Sequence, residues 1–166
     1  PGFRPGQFLT FRLKGADGRA QPRNYSLTSD PADLSHYRIS VRRHENGFGS
    51  GLMGAAAEGD VLEATEPKGR FVLDEASERP VILLAAGIGI TPLMAMAQAL
   101  AGTARPATLI HACRDAASRP FAAELDALAR RAANLRVAAI PTATEGRITA
   151  DILRRLLPIG DYEAYL

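Results

Sequence analysis

Three short stretches of the chain carry residue types suited to holding a phosphorylated ligand. In Gly87-Ile88-Gly89-Ile90-Thr91-Pro92 two glycines permit a tight turn and close approach of backbone N–H groups, and the sequence then enters a helix whose N-terminus favours negative charge. The stretch follows a buried strand and precedes a helix, which is the context of dinucleotide binding rather than of a plain strand-to-helix turn. In Arg23-Asn24-Tyr25-Ser26 a cationic fork, a flat aromatic ring and a hydroxyl lie within four residues. They suit a phosphate, a planar ring and that ring's polar edge, although the same alternation also describes an ordinary half-buried strand. In Gly47-Phe48-Gly49-Ser50, after the basic Arg42-Arg43-His44, backbone amides and the Ser50 hydroxyl at a helix start again suit phosphate. A glycine-rich hairpin tip with a serine cap would read alike.

Other reactive side chains are more scattered. His36, His44 and His111 show no metal-ligand spacing and read as structural or solvated. His111 ends a parallel strand on the ligand side of such a sheet, so it is the histidine expected to line a cofactor cleft. Just beyond it, Arg114 or Arg119 suits a ribose 2′-phosphate, Asp115 suits a free 2′-hydroxyl, and a solvated charged loop would also contain them.

The elements that must position these residues change character halfway along the chain. In the first half apolar residues recur with period two, as in Leu9, Phe11 and Leu13 and again in Tyr37, Ile39 and Val41. Further strands are expected at 24–28, 61–65 and 71–73, with a short helix within 51–58. Such closely spaced strands suggest a small antiparallel β-barrel. From Pro80 onward the pattern becomes α/β. Val81 to Ala86 is a continuous apolar run, as in a strand buried on both faces. A helix follows with Thr91 as N-cap, Pro92 at its first position and Leu93, Met96, Ala97 and Leu100 on one face. Strands at 107–112, 135–140 and 162–166 alternate with helices at 120–132 and 149–157, a doubly wound βαβαβαβ sheet. The boundary is expected at 78/79, giving domains 1–78 and 79–166.

Composition mainly excludes. With 46% hydrophobic and 23% charged residues and a net charge of +2, the chain is an ordinary globular one with no electrostatic reason to bind nucleic acid. Its longest apolar run is too short for membrane insertion. The single cysteine, Cys113, excludes an internal disulfide or a cysteine cluster and makes a reducing cytoplasm the expected location.

The order of the three motifs, Arg-x-Tyr-Ser, then Gly-x-x-Ser, then Gly-x-Gly-x-Thr-Pro, resembles the ferredoxin-NADP reductase superfamily. The surrounding Arg4-Pro5-Gly6-Gln7-Phe8-Leu9, Tyr37-Arg38-Ile39-Ser40-Val41 and Gly59-Asp60-Val61-Leu62 are similar to the reductase module of flavohaemoglobins, to oxygenase reductases and to reductases of the phthalate dioxygenase type. The resemblance implies a flavin-binding β-barrel joined to a nicotinamide-dinucleotide domain. It implies that Arg23 neutralises the flavin phosphate, Tyr25 packs on the isoalloxazine and Ser26 bonds near its N5. Gly47, Gly49 and Ser50 would surround the phosphate or pyrophosphate. Gly87, Gly89, Thr91 and Pro92 would take the nicotinamide dinucleotide, with His111 and Arg114 along its cleft.

Implied chemistry is hydride transfer from NADH or NADPH to FAD or FMN, with Tyr25, Ser26 and Thr91 at the reacting rings, and passage of electrons to an iron-sulfur, haem or oxygenase acceptor. The relatives favour NADH, and a pyrophosphate-like Gly47-x-x-Ser50 favours FAD, although 43–47 also resembles the FMN branch. Other readings are a nucleotide-binding regulatory module without turnover and a reductase of free flavin. The resemblance further implies truncation at both ends: an opening barrel strand would precede Pro1, and a Cys-Gly-x-Pro segment would follow Leu166. Cys113 stands on a different strand and does not inherit that role.

Overall fold

A computed structural model of the chain describes residues 2–15 and 18–166; Pro1, Ala16 and Asp17, which fall within the expected first domain, lie outside the described residues. The first half is built on an antiparallel pair, β1 (Phe8–Lys14) and β2 (Ala20–Ser26), in which Leu9 faces Tyr25 and Phe11 faces Arg23. Period two works as expected on β1: Leu9, Phe11 and Leu13 are buried and, with Leu27, form the small core of this lobe. A helix, α1 (Phe48–Ala55), packs nearby through Phe48 and Met53. It begins earlier than the alanine-rich stretch suggests.

Three expected strands are not strands. The 37–41 segment touches the sheet only where Ile39 bridges Leu27, the 61–65 segment only where Ala64 bridges Phe11, and 71–73 forms no bridge. Residues 63–68 do run along the second edge of β1, with Arg12 N–H donating to Glu63 and Thr65 N–H to Thr10. However, Phe11 faces Ala64 while Phe8 faces Lys68, so the outer segment holds one residue too many and bulges around Pro67, which has no N–H to donate. Val61 and Leu62 are exposed here, so alternation is not enforced by burial. Leu73 instead joins the core of the other lobe. The barrel is thus a short ribbon with irregular edges.

The second half follows its sequence pattern closely. Strands β3 (Val81–Ala86), β4 (Ala107–Cys113), β5 (Leu135–Pro141) and β6 (Glu163–Tyr165) form a parallel sheet in the order β5-β4-β3-β6. Helices α2 (Ile90–Ala101), α3 (Ala122–Arg131) and α5 (Ala150–Leu156) connect them, with a one-turn α4 (Thr142–Glu145) that periodicity did not suggest. Leu93, Met96 and Leu100 of α2 pack with Leu83, Leu109 and Leu125 in the main core, while Ile110, Ile140 and Ile152 form a core on the opposite face. Strand order reverses at β3, so a crevice opens beyond the carboxyl ends of β3 and β6.

Thr91 is not the N-cap of α2. A 3₁₀ turn over Gly87–Gly89 leads straight into the helix at Ile90, and the Thr91 hydroxyl donates back to the carbonyl of Ile88 at 3.1 Å. By contrast, Thr149 caps α5 as its position suggests, accepting from Ile152 N–H.

The lobes meet along a polar seam. Arg38 pairs with Glu124 of α3 at 2.8 Å, and Gln98 of α2 donates to the carbonyl of Thr28. The connecting segment is tied to β6, where Arg105 bonds the carbonyls of Asp74 and Arg79 and the carboxylate of Glu163, and Asp74 N–H donates to the Tyr165 hydroxyl.

Candidate functional site

Nine of the expected site residues converge on one cavity of about 770 Å³ between the lobes. Arg23, Tyr25 and Ser26 reach it from β2, Gly47, Gly49 and Ser50 from the start of α1, and Gly89, Thr91 and Pro92 from the turn and first residues of α2. The volume lies within the usual range for small-molecule sites.

On β2, Arg23 and Tyr25 share a face because they are two residues apart. Arg23 is held in place by the carbonyl of Pro22 at 2.8 Å and by Gln21 Oε1 at 2.7 Å, and its guanidinium lies 5.5 Å from the centre of the Phe48 ring. Tyr25 packs edge-on against Phe11. Its burial pushes the phenol pKa up, with Arg23 opposing, so the hydroxyl stays a neutral donor. A Cβ on Gly49 would sit 2.9 Å from the Tyr25 hydroxyl and 3.0 Å from Arg23 Cγ. Only glycine lets the start of α1 come this close, so the first two motifs form one wall.

Ser50 is not the helix cap. Gly47 occupies that position, and the Ser50 hydroxyl accepts from His44 N–H and donates to the carbonyl of Gly47. These bonds fold the Arg43–Gly47 loop over the helix start. Arg42 and His44 line the cavity with Arg23, and among the described residues no Asp or Glu side chain does. Such a wall favours an anion.

Three expected residues lie elsewhere. Gly87 lines two smaller clefts, one at the ends of β3 and β4 and one that runs between the lobes past Ser40 and Arg42, beside the main cavity. Arg114 lines one of them, of about 470 Å³, beside Thr142 and Arg147. His111 lines none. It is fully buried at the end of β4, with Nε2 2.9 Å from the carbonyl of Gly87, because the β4 side chain at that register points beneath the turn rather than into the crevice. The neighbouring loop is also settled: Ser118 N–H donates to Asp115 at 2.8 Å, the strongest influence holding that carboxyl below its ordinary pKa, and Arg119 pairs with Asp126.

The cavity also takes in Phe71 and, outside the three motifs, Ser40, Arg42, His44 and Leu166, which sequence reasoning did not place there. For Ser40 and Arg42 a signal exists, since they alternate with the apolar Tyr37, Ile39 and Val41 and so share a face. Phe71 and Leu166 come together only through the fold, where Phe71 packs on Tyr165. Among the described residues no cluster of His, Cys, Asp or Glu is arranged to hold a metal ion, and no helix is long and apolar enough to cross a membrane.

Comparison with known proteins identifies both lobes. Residues 2–73 match the family described as oxidoreductase FAD-binding domain, and residues 83–166 match the oxidoreductase NAD-binding domain. A flavohemoprotein of Deinococcus radiodurans is 39% identical across 99% of this chain and 44% of its own length. The FAD/NAD-binding domain of a nitric oxide dioxygenase from Vibrio cholerae superposes with a TM-score of 0.83 at 27% identity, covering 99% of this chain and 73% of that one. A phthalate dioxygenase reductase, described as transferring electrons from pyridine nucleotides to [2Fe-2S], gives 0.73 at 30% identity, over 89% and 45%. The chain spans less than half the length of the curated relatives it matches first. The resemblance carried by the three ordered motifs and these matches agree.

Proposed function

The chain belongs to the FAD- and NAD-binding oxidoreductases of the ferredoxin reductase-like superfamily, and on that premise we propose that it is a reductase module that moves hydride equivalents from a reduced nicotinamide dinucleotide to FAD and on to a haem, iron-sulfur or oxygenase acceptor. The observation that carries this is the shared cavity: the flavin-type and dinucleotide-type motifs line one space, from opposite lobes.

The residues present fit such a flavin. Gly49 lets the start of α1 close on Arg23 and Tyr25, and three basic side chains with no acidic one among the described residues suit a pyrophosphate. We assign Arg23 to phosphate charge, already immobilised by Pro22 and Gln21 so that little side-chain freedom is lost on binding. Gly49 and Ser50 offer N–H groups at the start of α1, while the Gly47 N–H, bonded to the carbonyl of His44, holds the loop that brings them to the cavity. Tyr25 would lie against the ring system and Ser26 near its polar edge. Thr91 and Pro92, facing them across the cavity, would seat the nicotinamide, with Gly87 and Gly89 along the dinucleotide and Arg114 toward its adenosine end. A bound flavin supplies the redox chemistry, accepting two electrons at once and releasing them one or two at a time. The protein's part is proximity and exclusion of water, which requires no nucleophile or acid-base pair.

An ionised Asp115, in a loop whose Arg119 is already paired with Asp126, supports NADH over NADPH. The match to an FAD-binding domain supports FAD over FMN. A domain boundary at 78/79 falls between the two matched regions, and the lone buried Cys113 fits a cytoplasmic protein. Purified protein should take up flavin, turn yellow and bleach on anaerobic addition of NADH. A protein that remains colourless after incubation with FAD and with FMN would refute the reading, and one that binds flavin without bleaching would be a binding module without turnover.

A further inference from the structure

We propose that His111 is a positioning residue for dinucleotide binding: from β4, beneath the turn, its imidazole pins the carbonyl of Gly87 and holds the Gly87–Gly89 turn in the shape that presents backbone N–H groups to the ligand. The inference rests on the functional reading above and adds a residue that touches neither cofactor.

His111 is fully buried on β4, opposite Ala85 of β3, and its Nε2 lies 2.9 Å from the Gly87 oxygen. A carbonyl only accepts, so the bond requires the proton on Nε2. Burial is the main reason the imidazole pKa is held down, and the nearby Arg119 guanidinium acts in the same direction. The ring is therefore neutral, with a lone pair on Nδ1, and Nδ1 is buried with no partner among the described residues. An orphaned buried acceptor is costly, and an apolar side chain would fill this site without it. The bond that the same ring makes to the turn is the feature an apolar residue would not supply.

The turn needs such a support. Gly87 has φ +52, in the left-handed region, and nothing packs within 4 Å of where its Cβ would be. Its shape is therefore not enforced by packing. Two side-chain bonds hold it: His111 on the Gly87 carbonyl and Thr91 on the Ile88 carbonyl. The first anchors the turn to β4, the second to α2. A turn fixed before binding loses less entropy when its N–H groups engage a ligand.

The test compares His111→Phe, which fills the volume without a donor, with His111→Gln, whose amide reaches about as far as Nε2. Dissociation constants for NADH and for FAD are measured by equilibrium titration, and amide hydrogen exchange at 87–91 is followed in nucleotide-free protein. His111→Phe should weaken NADH binding about five- to tenfold, in line with the loss of one hydrogen bond. It should speed exchange in the turn and leave FAD affinity unchanged, and His111→Gln should restore both properties to near wild type. If the Phe variant does not fold, His111→Met takes its place. Equal behaviour of the Phe and Gln variants, or a parallel fall in NADH affinity, FAD affinity and melting temperature, overturns the inference. A wild type that binds FAD but no nicotinamide dinucleotide contradicts the functional reading and this role with it, whereas unaltered NADH binding in His111→Phe overturns the role alone.

Discussion

The two lobes solve the problem of stability differently. The dinucleotide lobe is regular: a four-stranded parallel sheet packed between two apolar layers, with Leu83, Met96, Leu109 and Leu125 at its centre. Among the described residues the flavin lobe has one two-stranded ribbon, one short helix and a buried apolar core of only Leu9, Phe11, Leu13 and Leu27. Much of its remaining inner surface is polar and faces the cavity, through Arg23, Ser40 and Arg42. One lobe thus rests on a large apolar interior, and the other has a small apolar core beside a polar cavity wall.

The largest effect that can break this contrast is a cavity in the regular lobe. Leu83→Ala should cost about 2–5 kcal/mol of folding free energy, read by denaturant unfolding, because a fully buried side chain on the central strand has no room to be compensated. Added FAD should not restore it, since no flavin-lobe residue belongs to that layer apart from Leu73. In the flavin lobe the largest effect should fall on the ligand instead. Arg23→Ala should weaken flavin retention by about 1.5–3 kcal/mol, the worth of a charge-assisted bond, while the melting temperature of flavin-free protein changes little. Unchanged flavin occupancy after dialysis would show that the phosphate lies elsewhere.

Acid should distinguish the lobes next. Glu163 is held down to about 2 from an ordinary 4.5 by hydrogen bonds, first from Ser77 and also from Arg79, Arg105 and Tyr165. A carboxyl with a depressed folded pKa contributes stability above 4.5 and loses it as pH falls toward 2. His111, whose pKa is lowered by burial from 6.5, is favoured neutral in the folded state, so the unfolded chain binds more protons just below 6.5 and stability declines there as pH falls. Both groups belong to the dinucleotide lobe. Its melting temperature should therefore drop in two steps on acidification, and His111→Gln should remove the first step only.

The smallest expected effect lies at the seam. Arg38 is about one-third exposed where it pairs with Glu124, and such pairs are worth roughly 0.5 kcal/mol. Its guanidinium also lies over Phe121, which has φ +57, the one non-glycine residue in the left-handed region among those described. Glu124→Gln should barely change stability. Arg38→Met, which also removes one of the two side-chain donors to the Thr28 carbonyl, should slow flavin reduction more than it raises the KM for NADH.

How much of this was legible in the sequence follows the same division. Wherever burial dictated the pattern, as in the run from Val81 to Ala86 or in Leu9, Phe11 and Leu13, the elements were readable. Where one face of a segment meets a cavity, as at Ser40 and Arg42, a polar residue type does not distinguish a cavity wall from solvent. The 61–65 segment alternates without being buried, and the bulge near Pro67 is not encoded by periodicity at all. His111 was read as lining a cleft because strand ends in such sheets do so, but the register of β4 turned it inward. The convergence of the three motifs was legible only through their order, because residues in different lobes meet through long-range packing.

The central claim is that the cavity between the lobes brings a nicotinamide and a flavin into direct contact. It is tested most directly by mixing flavin-loaded protein anaerobically with NADH carrying deuterium at nicotinamide C4 and following the loss of flavin absorbance. Direct transfer predicts bleaching that is slower with the deuterated nucleotide. Protein that binds both FAD and NADH, yet keeps its flavin oxidised, would contradict it.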